Sequence, residues 1–191
     1  MASVKDLKWG ITGGSGQLAK SLINLLNQRE IPNIVWSRTD LDVSDPIALN
    51  EIKKSGISVL VNCAAWTDVD GAEDNALEAL LVNKLGAENL ALAARDLEIP
   101  LIHISTDYVF SGNEKRPWKV NDDTVPTTQY GMTKLMGEEA IRNIWPDKGI
   151  VLCRHIKLLY PGITELSINI HLFDPEKGQS CQLFYEGQII C

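Results

Sequence analysis

Cysteine, histidine and long apolar runs are all scarce in this chain, and each shortage argues against a class of protein. There are 4 cysteines and 3 histidines among 191 residues, and the cysteines form no CxxC pair and show no metal-ligand spacing. No apolar run approaches the roughly 20 residues of a membrane-spanning helix. Residues 1–8 lack the apolar stretch of a secretory signal. We therefore expect a cytoplasmic protein with reduced thiols, no metal site and no membrane partner.

Positive charge is also in short supply. Lysine and arginine total 18 against 25 aspartates and glutamates, which gives a net charge of −7. This balance argues against a general nucleic-acid-binding protein, which needs a basic surface, but it allows a local basic pocket for one phosphate. The composition, 45% hydrophobic and 23% charged, is that of one ordinary globular domain.

Strands alternate with helices along most of the chain, which predicts a doubly wound α/β fold with a parallel sheet, a Rossmann-like arrangement. The predicted strands cover residues 7–12, 33–37, 41–43, 57–64, 100–105 and 149–154. The predicted helices begin after Gly16, at Asp45-Pro46, near Gly71 and at Thr128, and the third, over 71–97, has a break near Asn83.

The pattern weakens after Arg154. Residues 166–172 and 182–185 predict only weak strands, and no convincing helix follows. We expect a cofactor-binding domain over residues 1–160, whereas residues 161–191 form an atypical tail with no independent domain. The polar loop over 111–125 is long enough to be either mobile or functional.

A glycine-rich loop follows the first predicted strand. Gly14-x-Gly16-x-x-Ala19 fits the dinucleotide-binding pattern, and Gly13-x-x-Gly16-x-x-Ala19 fits its short-chain variant. Glycines let the backbone approach a pyrophosphate, and the following helix start supplies unpaired N–H groups. Gln17 and Leu18 open that helix and join the predicted cofactor contacts. The alternative is an ordinary glycine-rich turn.

Arg38 lies at the end of the second predicted strand, where the adenosine ribose of a dinucleotide should reach. An arginine there favours a 2′-phosphate, and therefore NADPH over NADH. Asp40, two residues on, is compatible with the opposite preference. An ordinary solvated surface charge is the alternative for Arg38.

Tyr130 and Lys134 are spaced to share one face of a helix. A nearby lysine cation should lower the high pKa of a phenol, and the pair can then protonate a carbonyl oxygen as hydride arrives at its carbon. Thr106 and Asp107 follow the predicted strand over 100–105, at the sheet edge where such folds bind ligands. The Thr106 hydroxyl can stabilise the developing alkoxide, or it can simply cap a turn.

His103 and His155 are isolated histidines inside predicted strands. We interpret both as structural.

Several spaced motifs resemble the dTDP-4-dehydrorhamnose reductases, which are extended short-chain dehydrogenases. The matching segments are Val61-Asn62-Cys63-Ala64-Ala65-Trp66-Thr67-Asp68-Val69-Asp70-Gly71-Ala72-Glu73, Val82-Asn83-x-x-Gly86-Ala87-x-Asn89-Leu90-Ala91, Ile104-Ser105-Thr106-Asp107-Tyr108-Val109-Phe110-x-Gly112 and Tyr130-Gly131-x-Thr133-Lys134-x-x-Gly137-Glu138. The resemblance runs from about Trp9 to Arg154.

The resemblance implies NADPH-dependent reduction of the 4-keto group of dTDP-4-dehydro-L-rhamnose, with a nucleotide sugar as substrate. It implies a catalytic trio of Thr106, Tyr130 and Lys134, with Asp107 near the sugar and Lys134 also on the nicotinamide ribose. The implied cofactor contacts are Gly13, Gly16, Arg38, Asp42, Val43, Ala64, Ala65 and Thr67. We also expect a homodimer as one possible assembly.

The resemblance stops near Arg154. Family members continue into a second lobe that holds the nucleotide sugar, and nothing from Pro161 onward resembles it. We expect a truncation, an alternative ending or a shifted reading frame, with impaired reductase activity. Two alternatives stay open: an NADP-binding regulatory subunit, like that of methionine adenosyltransferase, which is similar to this family, and an inactive fragment.

Overall fold

The computed structural model describes residues 7–112, 118 and 122–145, and the backbone alone of 150–155, 170–174, 179–183 and 189–190. The strands are β1 (Trp9–Thr12), β2 (Asn33–Trp36), β3 (Val59–Asn62), β4 (Leu101–Thr106), β5 (Ile150–His155), β6 (Ile170–Asp174), β7 (Gln179–Leu183) and β8 (Ile189–Ile190). The α-helices are α1 (Gln17–Gln28), α2 (Leu49–Lys54), α3 (Gly71–Asp74), α4 (Ala76–Leu80), α5 (Gly86–Asp96) and α6 (Gln129–Ile144). Two 3₁₀ turns cover Pro46–Ala48 and Asp107–Val109, and a π-helical turn covers Leu81–Leu85.

Five parallel strands form the main sheet in the order β2-β1-β3-β4-β5. The chain runs outward from β1 in one direction to β2 and in the other to β3, so the carboxyl ends of β1 and β3 flank the point where the strand order reverses. In that register Thr12 lies beside Asn62. The predicted doubly wound, Rossmann-like fold is confirmed.

Two apolar clusters cover opposite faces of the sheet. Side chains of β3 alternate between them: Val59 and Val61 pack with α1 in one cluster, and Leu60 packs with α5 in the other. Burial on both faces is what near-continuous apolar strands require. The sheet therefore has a rigid interior, and its carboxyl edge carries the polar residues discussed below.

The short strand predicted over residues 41–43 is wrong. Leu41 and Val43 are buried as an apolar segment should be, but the hydrogen bonds of their backbone do not join the sheet. The Leu41 amide donates to Ser37, and the Val43 carbonyl accepts the side-chain amide of Asn89 at 2.9 Å. Side-chain burial without a strand ladder explains the apolar pattern.

The long helical stretch is interrupted earlier than expected. Asn75 separates α3 from α4, whereas α4, the π-helical turn that contains Asn83 and α5 follow one another without a residue between them. The predicted break near Asn83 is therefore a local change to π-helical hydrogen bonding within a continuous helix. Asp45 begins the preceding helical segment by accepting the Ile47 amide at 2.8 Å, with Pro46 in the first helical position, as predicted.

Strands β6, β7 and β8 form a separate antiparallel sheet in that order. They overlap the two weak strands predicted for the tail, although β6 begins later and β7 earlier than expected. The domain limit predicted at residue 160 and most of the predicted loop over 111–125 lie outside the described residues. Within the described residues, no helix is both long and apolar enough to cross a membrane.

Candidate cofactor and catalytic site

The glycine loop fits tightly between the ends of β2 and β3. Gly13 adopts φ +69°, and a Cβ there would lie 2.5 Å from the Ala64 amide nitrogen. A Cβ on Gly14 would lie 2.3 Å from a Val35 methyl carbon. These close approaches require glycine at both positions, so the loop packs tightly at the point where the strand order reverses.

The amino end of α1 is formed so that an anion can approach it. Gly16 precedes the helix and offers no side chain to cap it, and its own amide donates to the Gly13 carbonyl at 2.9 Å. Gln17 is exposed and Leu18 is half-buried at the first turn. Uncapped amides at a helix start match the charge of a pyrophosphate, so these residues fit the dinucleotide predicted from the sequence.

Asp40 and Arg38 behave differently in the turn after β2. The Asp40 carboxylate accepts from the Ser37 amide at 2.9 Å and from its hydroxyl at 2.6 Å, and these bonds lower the pKa of Asp40. The Arg38 side chain is 81% exposed, and its Nε lies 3.8 Å from an Asp42 oxygen. The Asp40 carboxylate is therefore hydrogen-bonded within its own turn, whereas the Arg38 guanidinium remains accessible to a ligand.

The other predicted cofactor residues lie near this turn. Hydrogen bonds from Ser44 lower the pKa of Asp42, and Val43 is buried behind it. Ala64 and Ala65 are half-buried directly after β3, and Thr67 is exposed further along the same loop.

Asn83 fastens that loop to α6. Its Oδ1 accepts the Trp66 amide at 2.9 Å, and its Nδ2 donates to the Trp66 carbonyl at 3.2 Å and to the Thr133 hydroxyl at 3.1 Å. The sequence analysis assigned Asn83 no role beyond a helix break, although an asparagine within an amphipathic helix was a usable signal.

Thr106 ends β4 and caps the 3₁₀ turn that follows. Its Oγ1 accepts the Tyr108 amide at 3.2 Å and donates to the Asp107 carboxylate at 3.2 Å. The capping alternative for Thr106 is thus correct as a structural description. It does not exclude a chemical role, because Tyr108, whose amide donates to Thr106, packs against the Tyr130 ring.

Tyr130 lies in the first turn of α6 and is 9% exposed. Its ring packs edge-on against Tyr108, with centroids 5.5 Å apart. Burial raises the pKa of the Tyr130 phenol, the hydrogen bond with Thr106 lowers it, and the nearby Asp107 charge raises it; the net direction is upward. The expectation that Lys134 lowers this pKa is wrong in this structure.

Lys134 is 1% exposed and reaches toward β4 from α6. Its Nζ donates to the Ile104 carbonyl at 2.6 Å and lies 3.4 Å from His103 Nε2. Burial lowers the pKa of Lys134 to about 8, although the charges of Glu138 and Cys63 act to raise it. The lysine's main partners therefore lie on β4 and not on the phenol.

The site also contains buried polar residues that the sequence analysis did not assign. His103 accepts from Asn62, and Glu138 accepts a hydrogen bond from Ser105 at 2.5 Å. The structural interpretation of His103 was incomplete because this ring also faces Lys134. A polar residue inside an apolar strand was the available signal. The side chain of His155 lies outside the described part of the chain.

Comparison with known proteins places these features in a family. The family model described as the RmlD substrate binding domain matches residues 8–160. A dTDP-4-keto-6-deoxy-D-glucose reductase from Streptomyces niveus is 40% identical over 146 residues, which are 76% of this chain and 51% of the relative. A dTDP-4-dehydrorhamnose reductase from Streptomyces griseus is 40% identical over 146 residues, 76% of this chain and 48% of the relative.

Solved structures agree. A dTDP-4-dehydrorhamnose reductase from Clostridium acetobutylicum superposes with a TM-score of 0.74 at 35% identity, over 78% of this chain and 52% of that one. The Bacillus anthracis enzyme of the same name, in complex with NADP, gives a TM-score of 0.73 at 30% identity over the same shares.

The chain spans about half the length of the curated relatives that it matches. The match nevertheless covers the whole five-stranded sheet, the glycine loop and α6. This chain belongs to the RmlD substrate binding domain family.

Proposed function

We propose that this chain is the cofactor-binding and catalytic half of an NADPH-dependent reductase that acts on the 4-keto group of a dTDP-linked deoxysugar. One observation carries the proposal. Tyr130 packs edge-on against Tyr108, whose amide donates to the Thr106 hydroxyl. Two side chains able to donate a proton or a hydrogen bond, Tyr130 and Thr106, therefore lie near each other at the carboxyl edge of the sheet, the edge on which doubly wound sheets bind their ligands.

The cofactor residues are proposed as a set. The glycine loop and the start of α1 would hold the pyrophosphate, and the exposed Arg38 would hold the 2′-phosphate of NADPH. The remaining contacts would be Gln17, Leu18, Asp42, Val43, Ala64, Ala65, Thr67, Tyr130 and Lys134. The Bacillus anthracis relative solved with NADP supports this choice of cofactor. The reduced nicotinamide would supply a hydride to the sugar C4.

Side chains of the protein would supply the proton that the C4 oxygen of the sugar receives. A raised pKa keeps the Tyr130 phenol protonated at neutral pH, so it holds the proton that the C4 oxygen needs during reduction. The Thr106 hydroxyl would give that oxygen a second hydrogen bond by turning away from Asp107. Asp107 would lie near the sugar, and Lys134 would hold the nicotinamide ribose.

For the substrate we propose dTDP-4-dehydro-L-rhamnose, with dTDP-L-rhamnose as the product. Relatives named as reductases of this sugar and of a dTDP-4-keto-6-deoxyglucose support the shared chemistry. Both names describe a thymidine diphosphate sugar with a keto group at C4. Activity of the 191-residue chain by itself is expected to be weak, because it spans about half of these relatives.

The test follows deuterium from the cofactor to the sugar. The chain is mixed with NADPH deuterated at the nicotinamide C4 and with dTDP-4-dehydrorhamnose, and the product is examined by mass spectrometry, which detects even slow transfer. The proposal predicts one deuterium at the sugar C4 with the unaltered chain, and incorporation slowed by roughly 10²–10⁴-fold with Tyr130→Phe. Transfer that is equal in the two proteins contradicts it. Binding of NADPH without any transfer would favour the regulatory subunit instead.

The domain and assembly predictions are proposals as well. We propose that residues 1–160 are the NADP-binding domain and that 161–191 form no domain of their own; the family match over residues 8–160 supports the first part. Limited proteolysis with mass spectrometry tests the limit. We propose a homodimer, which sedimentation tests, and a cytoplasmic location. Both proposals rest on the resemblance alone.

A further inference from the structure

A line of buried polar side chains crosses the sheet from β1 to α6. Thr12 Oγ1 donates to Asn62 Oδ1 at 2.8 Å, and Asn62 Nδ2 lies 2.9 Å from His103 Nδ1. His103 Nε2 then lies 3.4 Å from Lys134 Nζ. All four side chains are at most 1% exposed, so each hydrogen must have a defined place.

The orientation of the Asn62 amide is fixed by the backbone. The Ala64 N–H donates to Asn62 Oδ1 at 3.0 Å. A flipped amide would point its NH₂ group at this N–H, and two donors would then face each other. The NH₂ group of Asn62 must therefore point at His103.

This orientation fixes the tautomer of His103. Since Asn62 donates to Nδ1, that nitrogen must be the acceptor, and the hydrogen of the neutral ring is on Nε2. Burial and the neighbouring Lys134 hold the pKa of His103 well below its usual value, so the ring is neutral. Nε2–H consequently points toward the lysine amine.

An N–H group aimed at Lys134 distinguishes between the two forms of the lysine. A neutral amine has a lone pair that can accept the Nε2–H, whereas an ammonium group has only hydrogens. The Ile104 carbonyl can accept one hydrogen of either form. The ring therefore favours the neutral amine.

We propose that His103 is a positioning residue for Lys134. In the tautomer set by Asn62, the His103 ring holds its Nε2–H toward the amine and so allows the lysine to release its proton close to neutral pH. Its functional meaning rests on the proposed reductase role, in which Lys134 would hold the nicotinamide ribose, so that the charge of the lysine matters to the site. The neutral amine left after such a release is the form that His103 stabilises.

Other ionisable groups also face Lys134. Among the described side chains these are Glu138 on α6 and Cys63 after β3, and the charge of each favours the ammonium form. They oppose burial, which favours the neutral form, and the balance places the pKa of Lys134 at about 8.

The tautomer is tested directly in the unaltered 191-residue chain, without cofactor or substrate. Two-dimensional NMR of ¹⁵N-histidine protein distinguishes protonated from unprotonated ring nitrogens. His155→Gln and His171→Gln assign the other two rings. We expect His103 to carry its hydrogen on Nε2 and to stay neutral well below the ordinary pKa of a histidine. A hydrogen on Nδ1, or a ring that becomes charged near its ordinary pKa, overturns the proposal.

The coupling to Lys134 is tested with Asn62→Asp. The carboxylate keeps acceptors for Thr12 and Ala64 but can only accept from His103, so the hydrogen should move to Nδ1 and leave Nε2 to accept from the ammonium. The midpoint of Lys134, followed by lysine ¹³Cε NMR and assigned with Lys134→Arg, should rise by at least about one pH unit. Thr12→Val is the control. It leaves the hydrogen bond from the Ala64 amide to Asn62 in place, so neither the His103 ring ¹⁵N signals nor the Lys134 ¹³Cε midpoint should change.

The two readouts together separate the tautomer from the added charge. A raised Lys134 midpoint while His103 stays protonated on Nε2 would be an effect of charge alone, and it contradicts the proposal. So does a switched tautomer with an unchanged Lys134 midpoint. If Asn62→Asp does not fold, two measurements on the unaltered chain still test the proposal: the His103 tautomer and the Lys134 midpoint, which should lie near pH 8. A midpoint far from pH 8 contradicts the proposal. Failure of deuterium transfer would leave these results unaffected.

Discussion

Lys134 Nζ donates to the main-chain oxygen of Ile104 at 2.6 Å, two residues before the end of β4. This bond joins the middle of α6 to the strand that carries Thr106. It also holds an amine in the interior of the protein at 1% exposure. Burial of an amine destabilises the folded state, and proteins retain such a group where it contributes positioning or chemistry.

Replacing Lys134 with methionine should therefore stabilise the fold. The pKa of Lys134 is about 8 in the folded protein against a model value of 10.5. The unfolded chain binds more protons between these values, so the lysine's cost is fully present below pH 8 and is relieved as the pH rises toward 10.5. We expect Lys134→Met to raise the free energy of unfolding at pH 7 by on the order of 1–3 kcal/mol.

Urea unfolding at a series of pH values measures this effect. The gap between the two proteins should narrow above pH 8. Lys53→Met, which removes an exposed lysine paired with Asp96, is the control and should show no such narrowing. Parallel stability curves for Lys134→Met and the unaltered chain would show that the buried amine carries no depressed pKa.

Gly13→Ala should damage both folding and cofactor binding. Its φ of +69° disfavours any side chain, and a Cβ would lie 2.5 Å from the Ala64 nitrogen. Gly56→Ala is a matched control, because Gly56 has φ +66° and no atom within 4 Å of the added carbon. The left-handed conformation costs about 1–2 kcal/mol in both variants, and the clash adds about 1–3 kcal/mol in Gly13→Ala only. Equal thermal melts would show that the loop does not pack as described.

Arg38→Ala should narrow the preference for NADPH over NADH. The guanidinium is 81% exposed and is placed to meet a 2′-phosphate, and loss of one charge-assisted contact costs about 1.5–3 kcal/mol. NADPH affinity should fall while NADH affinity stays nearly constant, as measured by fluorescence titration. Lys53→Ala controls for the change in net charge. A uniform loss for both cofactors would assign Arg38 a general rather than a selective role.

Tyr130→Phe should lower any reductase rate by roughly 10²–10⁴-fold, the usual contribution of a positioned proton donor. NADPH affinity should hardly change, because the ring and its edge-on contact with Tyr108 remain. Since the pKa of Tyr130 is raised above its model value of 10.0, the rate of the unaltered chain should show no loss from phenol ionisation below about pH 9. A Tyr130→Phe protein with full activity would remove the phenol from the mechanism.

Local patterns were sufficient to predict most of the fold. The glycine loop and the helix start at Asp45-Pro46 are each encoded within a few residues, whereas the helix is interrupted at Asn75 and not near Asn83. The strand predicted over residues 41–43 failed because burial and strand pairing are separate properties. Val43 is buried, yet its carbonyl bonds to Asn89, which is 46 residues away.

The electrostatics of the site depend on contacts that no local pattern contains. Helical spacing places Tyr130 and Lys134 on one face of α6, and from that alone a lowered phenol pKa is a reasonable expectation. The structure instead gives the lysine Ile104 and His103 as partners. Burial of the phenol then decides the direction of its pKa. Only the packing of α6 on β4 could reveal this.

The most direct test of the account is a calorimetric titration of the unaltered 191-residue chain with NADPH and, separately, with NADH. The glycine loop, the uncapped start of α1 and the exposed Arg38 predict saturable binding of one NADPH per chain, with NADH about tenfold or more weaker. No binding of either cofactor, or equal affinities for the two, would contradict the proposed cofactor site and the reductase chemistry that depends on it.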